Sequence, residues 1–298
     1  MKYFHGAGRR GPYFEGWYLK HQSPVGETFA AIPSLHIDSA GNKSASLQVI
    51  TQEGSWSLPY PDSAMQTCTD FFQVWLGGNL FNGKGMWLDL SVPGLEVHGE
   101  LRYGPFTALK SDIMGPFRFV PGMQCSHGVV SMGHRLEGTL TVNGRAIDFT
   151  GGTGYIESDR GRSFPSRYLW TQCTWREERS SSLMLSVANI PIPAGGSFTG
   201  CICAVLYGGK QYRLATYHGV KIEHWAEGGA VISQGPYRLS AELVECHPLP
   251  LRAPDEGVMA RTIHESLHAT VRYRFWANDE LLFDRLDPRA SYEFSDGN

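Results

Sequence analysis

The chain has 298 residues, of which 18% are charged and 12% are aromatic, and its formal net charge is −3. This length allows one large or two ordinary domains, and the aromatic content argues against intrinsic disorder and against a coiled coil. Because 26 basic residues stand against 29 acidic ones, there is no broad basic field for phosphates, and nucleic acid is not expected as a partner.

The sequence shows no pattern of a leader or of a membrane helix. Residues 1–10 lack the apolar stretch of a secretory signal, and no run approaches the roughly 20 apolar residues of a membrane span. The six cysteines form no Cys-x-x-Cys pair, and Cys201 and Cys203 are predicted to be buried free thiols. We therefore expect a cytoplasmic protein without a transmembrane segment, and peripheral membrane contact stays open.

Strand patterns begin early in the chain. Short segments with Thr, Val, Trp or Leu are separated by turn residues such as Gly41-Asn42 and Pro93-Gly94. These patterns predict strands at residues 28–37, 43–51, 85–92 and 95–101.

Hairpin signals continue through the second half. Asn143-Gly144 stands between alternating segments at residues 135–142 and 145–149, and Asn-Gly readily takes the positive φ values of a type I′ turn. Similar hairpins are predicted around Gly208-Gly209 and Asn278-Asp279. Nearly the whole chain is therefore predicted to be antiparallel β.

Two segments interrupt this pattern. Residues 103–124 are rich in Gly, Pro and Phe, and residues 247–265 contain three prolines. Loops of this length in a compact domain are usually lids or binding loops. A short helix within residues 256–268 is a further expectation.

The expected fold class is all-β, in two antiparallel halves of barrel or sandwich type. Strand and turn patterns continue on both sides of residues 159–166, which we take as the candidate junction. The predicted domains are therefore residues 1–158 and residues 159–298.

A carboxylate stands among aromatic residues near the start of the chain. Residues 12–20 read Pro-Tyr-Phe-Glu-Gly-Trp-Tyr-Leu-Lys, and strand alternation places Tyr13, Glu15 and Trp17 on one face. Glu15 could be structural and pair with an arginine. Alternatively, burial could raise its pKa and keep a neutral acid ready to donate a proton.

A second acidic pair occurs at Glu157 and Asp159, close to Arg160, Arg162 and Arg167. The glycines that precede it resemble a phosphate loop only superficially, because no Gly-Lys-Ser/Thr follows. Two hypotheses remain at this point: an ion-pair network at the domain junction, or a catalytic pair of acids.

Two histidines, His127 and His134, stand seven residues apart. On an extended segment they would be roughly 23 Å apart, so they cannot share a metal ion without a sharp fold-back, and no metal is expected. The sequence contains no Gly-x-Ser-x-Gly elbow, which disfavours a serine hydrolase.

Together these segments resemble the tocopherol cyclase family. That family pairs an early Phe-Glu-Gly-Trp-Tyr block, here residues 14–18, with a later Tyr-x-Glu…Gly-x-x-Phe-Pro…Trp-x-Gln block. The residues that match the later block are Tyr155, Glu157, Gly161, Phe164, Pro165, Trp170 and Gln172. The resemblance implies a fold of two lipocalin-like β-barrels.

The resemblance also implies a reaction: a protein acid protonates the alkene of a prenylated hydroquinone, and the phenol oxygen captures the tertiary cation. Glu157 or Glu15 would be the acid, and Asp159 or His127 would accept the phenol proton. No cofactor is expected, and the partner would be an apolar small molecule. The implied substrate-binding residues, expected to line one cavity with Glu157, are Trp17, Tyr155 and Trp170, with Gln172 and Tyr13 as further contacts.

Other functions stay open at this stage. The first hypothesis is a cyclase or hydratase that acts on an isoprenoid or another apolar molecule. The second is a lipophile carrier without catalysis, since eight-stranded barrels commonly hold one small ligand. The third is an interaction protein that uses the barrel surface. The cluster of Glu157, Asp159 and Gln172 favours catalysis, because a carrier of apolar ligands does not need desolvated carboxylates.

Overall fold

The computed structural model describes residues 2–176, 180–192 and 195–297, and the side chain of Ser180 lies outside this description. Within these residues the chain forms twenty-two strands, and all their recorded pairings are antiparallel. Three short 3-10 helices, Asp62–Ala64, Gly115–Phe119 and Thr216–His218, complete the regular structure of this part. The all-β prediction is confirmed.

The first sheet contains twelve strands. They are β1 (Tyr13–Gln22), β2 (Thr28–Ile37), β3 (Lys43–Thr51), β4 (Ser55–Pro61), β5 (Met65–Thr67), β6 (Gln73–Leu76), β7 (Asn79–Asn82), β8 (Gly85–Val92), β9 (Leu95–Tyr103), β10 (Cys125–Val142), β11 (Arg145–Asp148) and β12 (Thr153–Gly161). Their order is β4-β3-β2-β1-β12-β10-β9-β8-β7-β6-β5, with β11 paired to β10. Strand β1 therefore lies between β2 and β12.

The second sheet contains ten strands. They are β13 (Arg167–Arg176), β14 (Ser180–Pro191), β15 (Ser197–Tyr207), β16 (Lys210–Ala215), β17 (Lys221–Ala226), β18 (Gly229–Gln234), β19 (Tyr237–Glu245), β20 (Leu249–Asp255), β21 (Val258–Ala277) and β22 (Glu280–Asp296). Their order is β16-β15-β14-β13-β22-β21-β19-β18-β17, with β20 paired to β21. The two sheets correspond to the two predicted β halves.

The chain forms two compact units, which we describe separately. Unit 1 consists of Met1–Ala108, His127–Ser163 and Leu251–Thr262. Unit 2 consists of Leu109–Ser126, Phe164–Pro250 and Ile263–Asn298. The domain boundary after residue 158 stays a prediction.

The predicted hairpin turns are present. The residues at all three turns have positive φ, as a type I′ turn requires. The φ values are 49° and 77° at Asn143 and Gly144, 58° and 74° at Gly208 and Gly209, and 50° and 66° at Asn278 and Asp279. Local turn chemistry therefore sets these connections.

One predicted loop is corrected. Residues 247–265 are mostly strand, because β20 and β21 form a hairpin around Glu256 and Gly257, which have φ values of 46° and 76°. The expected helix within residues 256–268 is likewise replaced by β21. Prolines are tolerated here because β20 pairs only with β21, and an edge strand needs fewer N–H donors. In contrast, the predicted loop at residues 103–124 is confirmed except at Tyr103, which ends β9, and it contains one 3-10 helix.

The cysteine and membrane expectations are tested in part. Cys201 and Cys203 are buried free thiols, so the prediction for both is confirmed. Burial raises the pKa of the Cys201 thiol to about 12. Across the described part of the chain, no helix is both long and apolar enough to cross a membrane.

Candidate active site

The pairing of β1 with β12 separates two faces of the first sheet. Tyr18 lies directly opposite Glu157, and Gly16 lies directly opposite Asp159. Directly paired residues in an antiparallel sheet point to the same side, so these four residues share one face. We call it the polar face.

The other face of these strands is apolar. Trp17, Leu19 and Ile156 belong to the hydrophobic core of unit 1, and Trp17 packs against the rings of Phe4 and Phe72 at centroid distances of 6.4 and 6.1 Å. The register therefore places Trp17 and the polar face on opposite sides of the sheet. The structure does not bring Trp17 together with Glu157, and a substrate contact by Trp17 stays a prediction.

An imidazole lies between the two carboxylates predicted on β12. Nδ1 of His127 lies 3.0 Å from Oδ1 of Asp159, and its Nε2 lies 3.4 Å from Oε2 of Glu157. The hydroxyl of Tyr155 donates a hydrogen bond of 2.6 Å to the same oxygen of Glu157. Since β10 is adjacent to β12 in the sheet, the fold brings together four residues that lie up to 32 positions apart.

Burial and charge change the pKa values in this group. Burial alone would lower the pKa of His127, but the carboxylates of Asp159 and Glu157 outweigh it and raise that pKa well above its ordinary value. Burial raises the pKa of Glu157, and Asp159 adds to this effect, whereas His127 and Tyr155 oppose it. Burial and the neighbouring Glu157 hold the pKa of Tyr155 well above its usual range. The site therefore retains protons that exposed groups would lose.

Two of the arginines near Glu157 in the sequence lie elsewhere on unit 1, and the ion-pair network with Glu157 and Asp159 stays a hypothesis. Arg162 is exposed and lies 3.6 Å from Glu256, while Arg160 lies opposite Glu15 in the register. In the described residues, the ion pair of Glu157 is the one with His127. This arrangement favours a proton-sharing group over a purely structural arginine pair.

The same three residues also meet a distance criterion for a metal site. The ligand atoms of His127, Glu157 and Asp159 all lie within 4.8 Å of one another. The two ring nitrogens of His127 point in different directions: Nδ1 contacts Asp159, whereas Nε2 lies 3.4 Å from Glu157 and has no hydrogen-bond partner among the described residues. An ion bound at Nε2 would leave the contact between Nδ1 and Asp159 in place, so the geometry accommodates a metal ion as well as a shared proton.

Glu15 forms a separate group on the apolar side of β1. It is 1% exposed, and Oε2 accepts hydrogen bonds from the backbone N–H of His5 and from the hydroxyl of Tyr13, both at 2.8 Å. Oε1 lies 2.8 Å from Nδ1 of His5. Glu15 therefore ties the N-terminal segment to β1, and Tyr13 belongs to this group rather than to that of Glu157.

The two remaining predicted residues lie on β13 in unit 2. Trp170 and Gln172 are both buried and share one face of that strand. The side-chain amide of Gln172 donates a hydrogen bond of 2.7 Å to Thr174. Their roles in substrate binding stay predictions.

Several buried polar residues were not predicted from the sequence. In unit 2, Glu265 and Glu293 are directly paired between β21 and β22, and Tyr168 donates a hydrogen bond to Glu293. In unit 1, Ser34 and His36 lie on the polar face, because Ser34 is paired with Gly16. The signal was present in the alternation of residues 32–37, where two polar residues stand two apart in an otherwise apolar strand.

Unit 1 also carries an apolar groove of about 390 Å³ away from these carboxylates. It lies along edge strand β4 and the β8–β9 turn. Its walls are formed by Trp56, Ser57, Leu58, Pro59, Tyr60, Val92 and Pro93. None of these lining side chains is a carboxylate or an imidazole.

Two antiparallel sheets with a partly buried carboxylate–imidazole–carboxylate group define an all-β protein with a candidate acid–base site. The chain belongs to the tocopherol cyclase-like family, whose sequence model matches residues 102–293. The matched range includes His127, Glu157 and Asp159, and it begins after the early Phe-Glu-Gly-Trp-Tyr block. Among curated proteins, no sequence matches this chain.

Two solved structures share this fold. A protein of Nitrosomonas europaea assigned as AttH is 11% identical, with a TM-score of 0.55 over 98% of this chain and 94% of its own. Kievitone hydratase from Nectria haematococca is also 11% identical, with a TM-score of 0.54 over 96% of this chain and 90% of its own. At this identity, the likeness shows the fold alone.

Proposed function

We propose that this chain is a cofactor-independent enzyme that cyclises or hydrates an isoprenoid-bearing apolar molecule by protonating an alkene. The observation that carries the proposal is the partly buried group in which His127 lies between Glu157 and Asp159, 3.4 and 3.0 Å from their carboxylates. An alkene is a very weak base, so its protonation needs an acid held in a dry site. Family membership and the fold shared with a hydratase support the same class of reaction.

In this proposal, Glu157 is the proton donor. At rest, His127 carries the proton and Glu157 is its carboxylate partner. An apolar substrate excludes water and disfavours separate charges, so the proton moves from Nε2 of His127 to Glu157. Asp159 accepts from Nδ1 and thereby fixes the tautomer that leaves Nε2 able to exchange a proton.

The reaction then balances without a further reagent. Neutral Glu157 gives its proton to the less substituted alkene carbon, which leaves a carboxylate and a tertiary cation. A phenol oxygen of the substrate bonds to the cation, and its proton passes to His127 and restores the resting site. In a hydration, water takes the place of the phenol oxygen.

The roles of the aromatic residues follow from their positions. Tyr155 holds Oε2 of Glu157 through its hydroxyl, and its ring lies on the polar face. We propose Trp170 and Gln172 as substrate contacts because both match the family block and are buried. We also propose a cytoplasmic location, which is supported by the absence of disulfides among the six cysteines, all within the described residues.

The experiment is incubation of the purified chain with 2-geranylhydroquinone in D₂O. We expect a cyclic ether, or a tertiary alcohol if hydration prevails, that contains one deuterium at the protonated alkene carbon. Mass spectrometry and NMR of the product measure both features. A product without that deuterium would contradict alkene protonation, and tight binding without any product would favour the carrier.

The carrier is the second candidate because of the groove along β4. That groove is lined mainly by Trp56, Leu58, Tyr60 and two prolines, and it is large enough for part of a small ligand. Extraction of the purified protein with organic solvent would decide between the two. A lipophile recovered unchanged, whose binding is lost in Trp56→Ala and kept in Glu157→Gln, would favour carriage.

A further inference from the structure

The predicted loop between β9 and β10 includes residues 109–126, which belong to unit 2 and which we call the connecting segment. Two sets of contacts anchor it to the rest of that unit. The hydroxyl of Tyr217 donates a hydrogen bond of 2.7 Å to the carbonyl of Ile113. The ring of Phe117, in the 3-10 helix of this segment, lies 6.0 Å from the ring of Phe198 and 6.1 Å from that of Tyr217. The position of this helix on unit 2 is therefore fixed by packing.

The residues that follow this anchor are apolar and exposed. Phe119 is 73% exposed and Val120 is 44% exposed, and the guanidinium of Arg118 lies 4.4 Å from the centroid of the Phe119 ring. Phe119 has the largest exposed fraction among the exposed phenylalanines and tryptophans of the described residues. Covering such side chains is favourable because it removes apolar surface from water. The anchored segment thus presents an apolar tip to the solvent.

A second exposed apolar side chain belongs to the same part of unit 2. Ile190 on β14 is paired with Phe198 on β15, whose ring contacts the connecting segment. Ile192 directly follows β14, and its side chain lies two positions beyond Ile190, which alternation places on the same side. Ile192 is 43% exposed. We call Phe119, Val120 and Ile192 the apolar rim of unit 2.

The surface that includes the apolar rim is cationic, although the whole chain has a net charge of −3. Its charged residues lie in the connecting segment and in residues 195–221, which contain β15, β16 and the 3-10 helix that follows. The cations of these two segments are Lys110, Arg118, Lys210, Arg213 and Lys221, and their one acid is Asp112. All of these cations except Arg213 are exposed, whereas Asp112 is half-buried. This surface therefore attracts anions.

We propose that the apolar rim inserts into the surface of an anionic phospholipid bilayer, and that the cations of the same surface contact the lipid phosphates. Apolar side chains flanked by Lys and Arg are typical of proteins that lie on a membrane interface. A protein partner fits less well, because three side chains fall far short of the roughly 800 Å² per partner that a stable protein interface buries. The inference goes beyond the proposed function, since it assigns a surface and a partner and needs no reaction at Glu157.

The test measures binding of the purified full chain to vesicles by co-sedimentation. One set of vesicles is pure phosphatidylcholine, and the other contains about one-quarter phosphatidylglycerol, which supplies negative charge. We expect the wild type to bind the anionic vesicles at least about 5-fold more tightly than the neutral ones, and NaCl at about 0.5 M to weaken that binding. Phe119→Ser should lower the affinity for the anionic vesicles about 10-fold.

Phe71→Ser is the matched control. Phe71 is 54% exposed, but it lies in unit 1 and follows an acid, Asp70. We expect this variant to bind the anionic vesicles as tightly as the wild type. A circular dichroism melt confirms that each variant is folded, and Ile192→Ser repeats the test at the other part of the apolar rim.

Three results would overturn the inference: no binding to either kind of vesicle, equal binding to both, or undiminished binding by Phe119→Ser and Ile192→Ser. Sedimentation velocity tests for a different occupant. A wild-type dimer that Phe119→Ser abolishes would assign the apolar rim to a second copy of this chain, and the lipid proposal would be wrong. Because the vesicles contain no substrate, none of these results bears on the reaction proposed at Glu157.

Discussion

Nε2 of His127 lies 3.4 Å from Oε2 of Glu157 while Nδ1 of the same ring contacts Asp159. The ring of His127 thus lies between two acids whose side chains point to the same face of β12. The arrangement lets a proton reach Glu157 from a neighbour that stays fixed in position.

Glu157→Gln keeps the shape of the side chain but removes the acidic proton. We expect turnover of an accepted substrate to fall by on the order of 10² or more, while binding of the same molecule persists. Steady-state kinetics and calorimetry measure the two quantities. Glu137→Gln is the control, because Glu137 is exposed on β10. Retained turnover in Glu157→Gln would exclude it as the acid, and loss of folding would indicate a structural role.

The imidazole of His127 should titrate at a higher pH than an ordinary histidine. Two carboxylates raise its pKa, so its stabilising effect is complete below about pH 6.5 and is lost as the pH rises through the folded pKa. NMR of the ring nuclei measures the midpoint, and Glu157→Gln or Asp159→Asn should each lower it. A midpoint at or below 6.5 in the wild type would show that burial outweighs the two charges.

Gly154→Ala should destabilise unit 1. A Cβ there would lie 2.2 Å from Nε2 of His134, a ring that also packs against Tyr103 at a centroid distance of 4.6 Å. The rings would have to move, which costs about 1–3 kcal/mol in the free energy of unfolding. Gly83→Ala, where nothing would lie within 4 Å, should have little effect. Denaturant unfolding compares the two variants, and equal stabilities would show that His134 moves freely.

Arg213→Met should release the segment from Leu109 to Ser126 in unit 2. Nη1 of Arg213 donates to the carbonyl of Asp112 at 2.9 Å, and Nη2 donates to that of Ser111 at 3.0 Å. Without these bonds, trypsin should cleave at Lys110 or Arg118 about 10-fold faster. Arg272→Met removes a surface pair with Asp284 and serves as the control. Unchanged cleavage would show that other contacts hold the segment.

Local patterns in the sequence were sufficient to predict many of the strands and turns. The Asn143-Gly144 hairpin and the strand limits of β2 and β3 agree with the structure because turn chemistry and alternation act over a few residues. Glu157 and Asp159 share a face for the same reason, since they stand two apart on one strand. In contrast, the prolines of residues 247–265 predict a loop, and only the edge position of β20 explains why a strand tolerates them.

The remaining features of the candidate site depend on how strands that are distant in the sequence pair with each other. Whether Trp17 or Tyr18 faces the acids is set by how β1 pairs with β12, and a slip of one residue would exchange the two faces. His127 joins the acids only because β10 is the neighbour of β12. Ser34 and His36 lie on the polar face because Ser34 is paired with Gly16 on the next strand. A pattern within one strand shows which residues share a face, but it does not show which strand lies beside them.

The division of the chain also bears on protein engineering. Each unit includes a segment that the chain order would assign to the other, Leu251–Thr262 in unit 1 and Leu109–Ser126 in unit 2. A single cut after Ser163 would therefore leave each fragment without part of its own unit. A chimera that exchanges one intact unit with a relative would need crossovers after Ala108, Ser126, Ser163, Pro250 and Thr262. Recombination at one site would mix the units instead of swapping them.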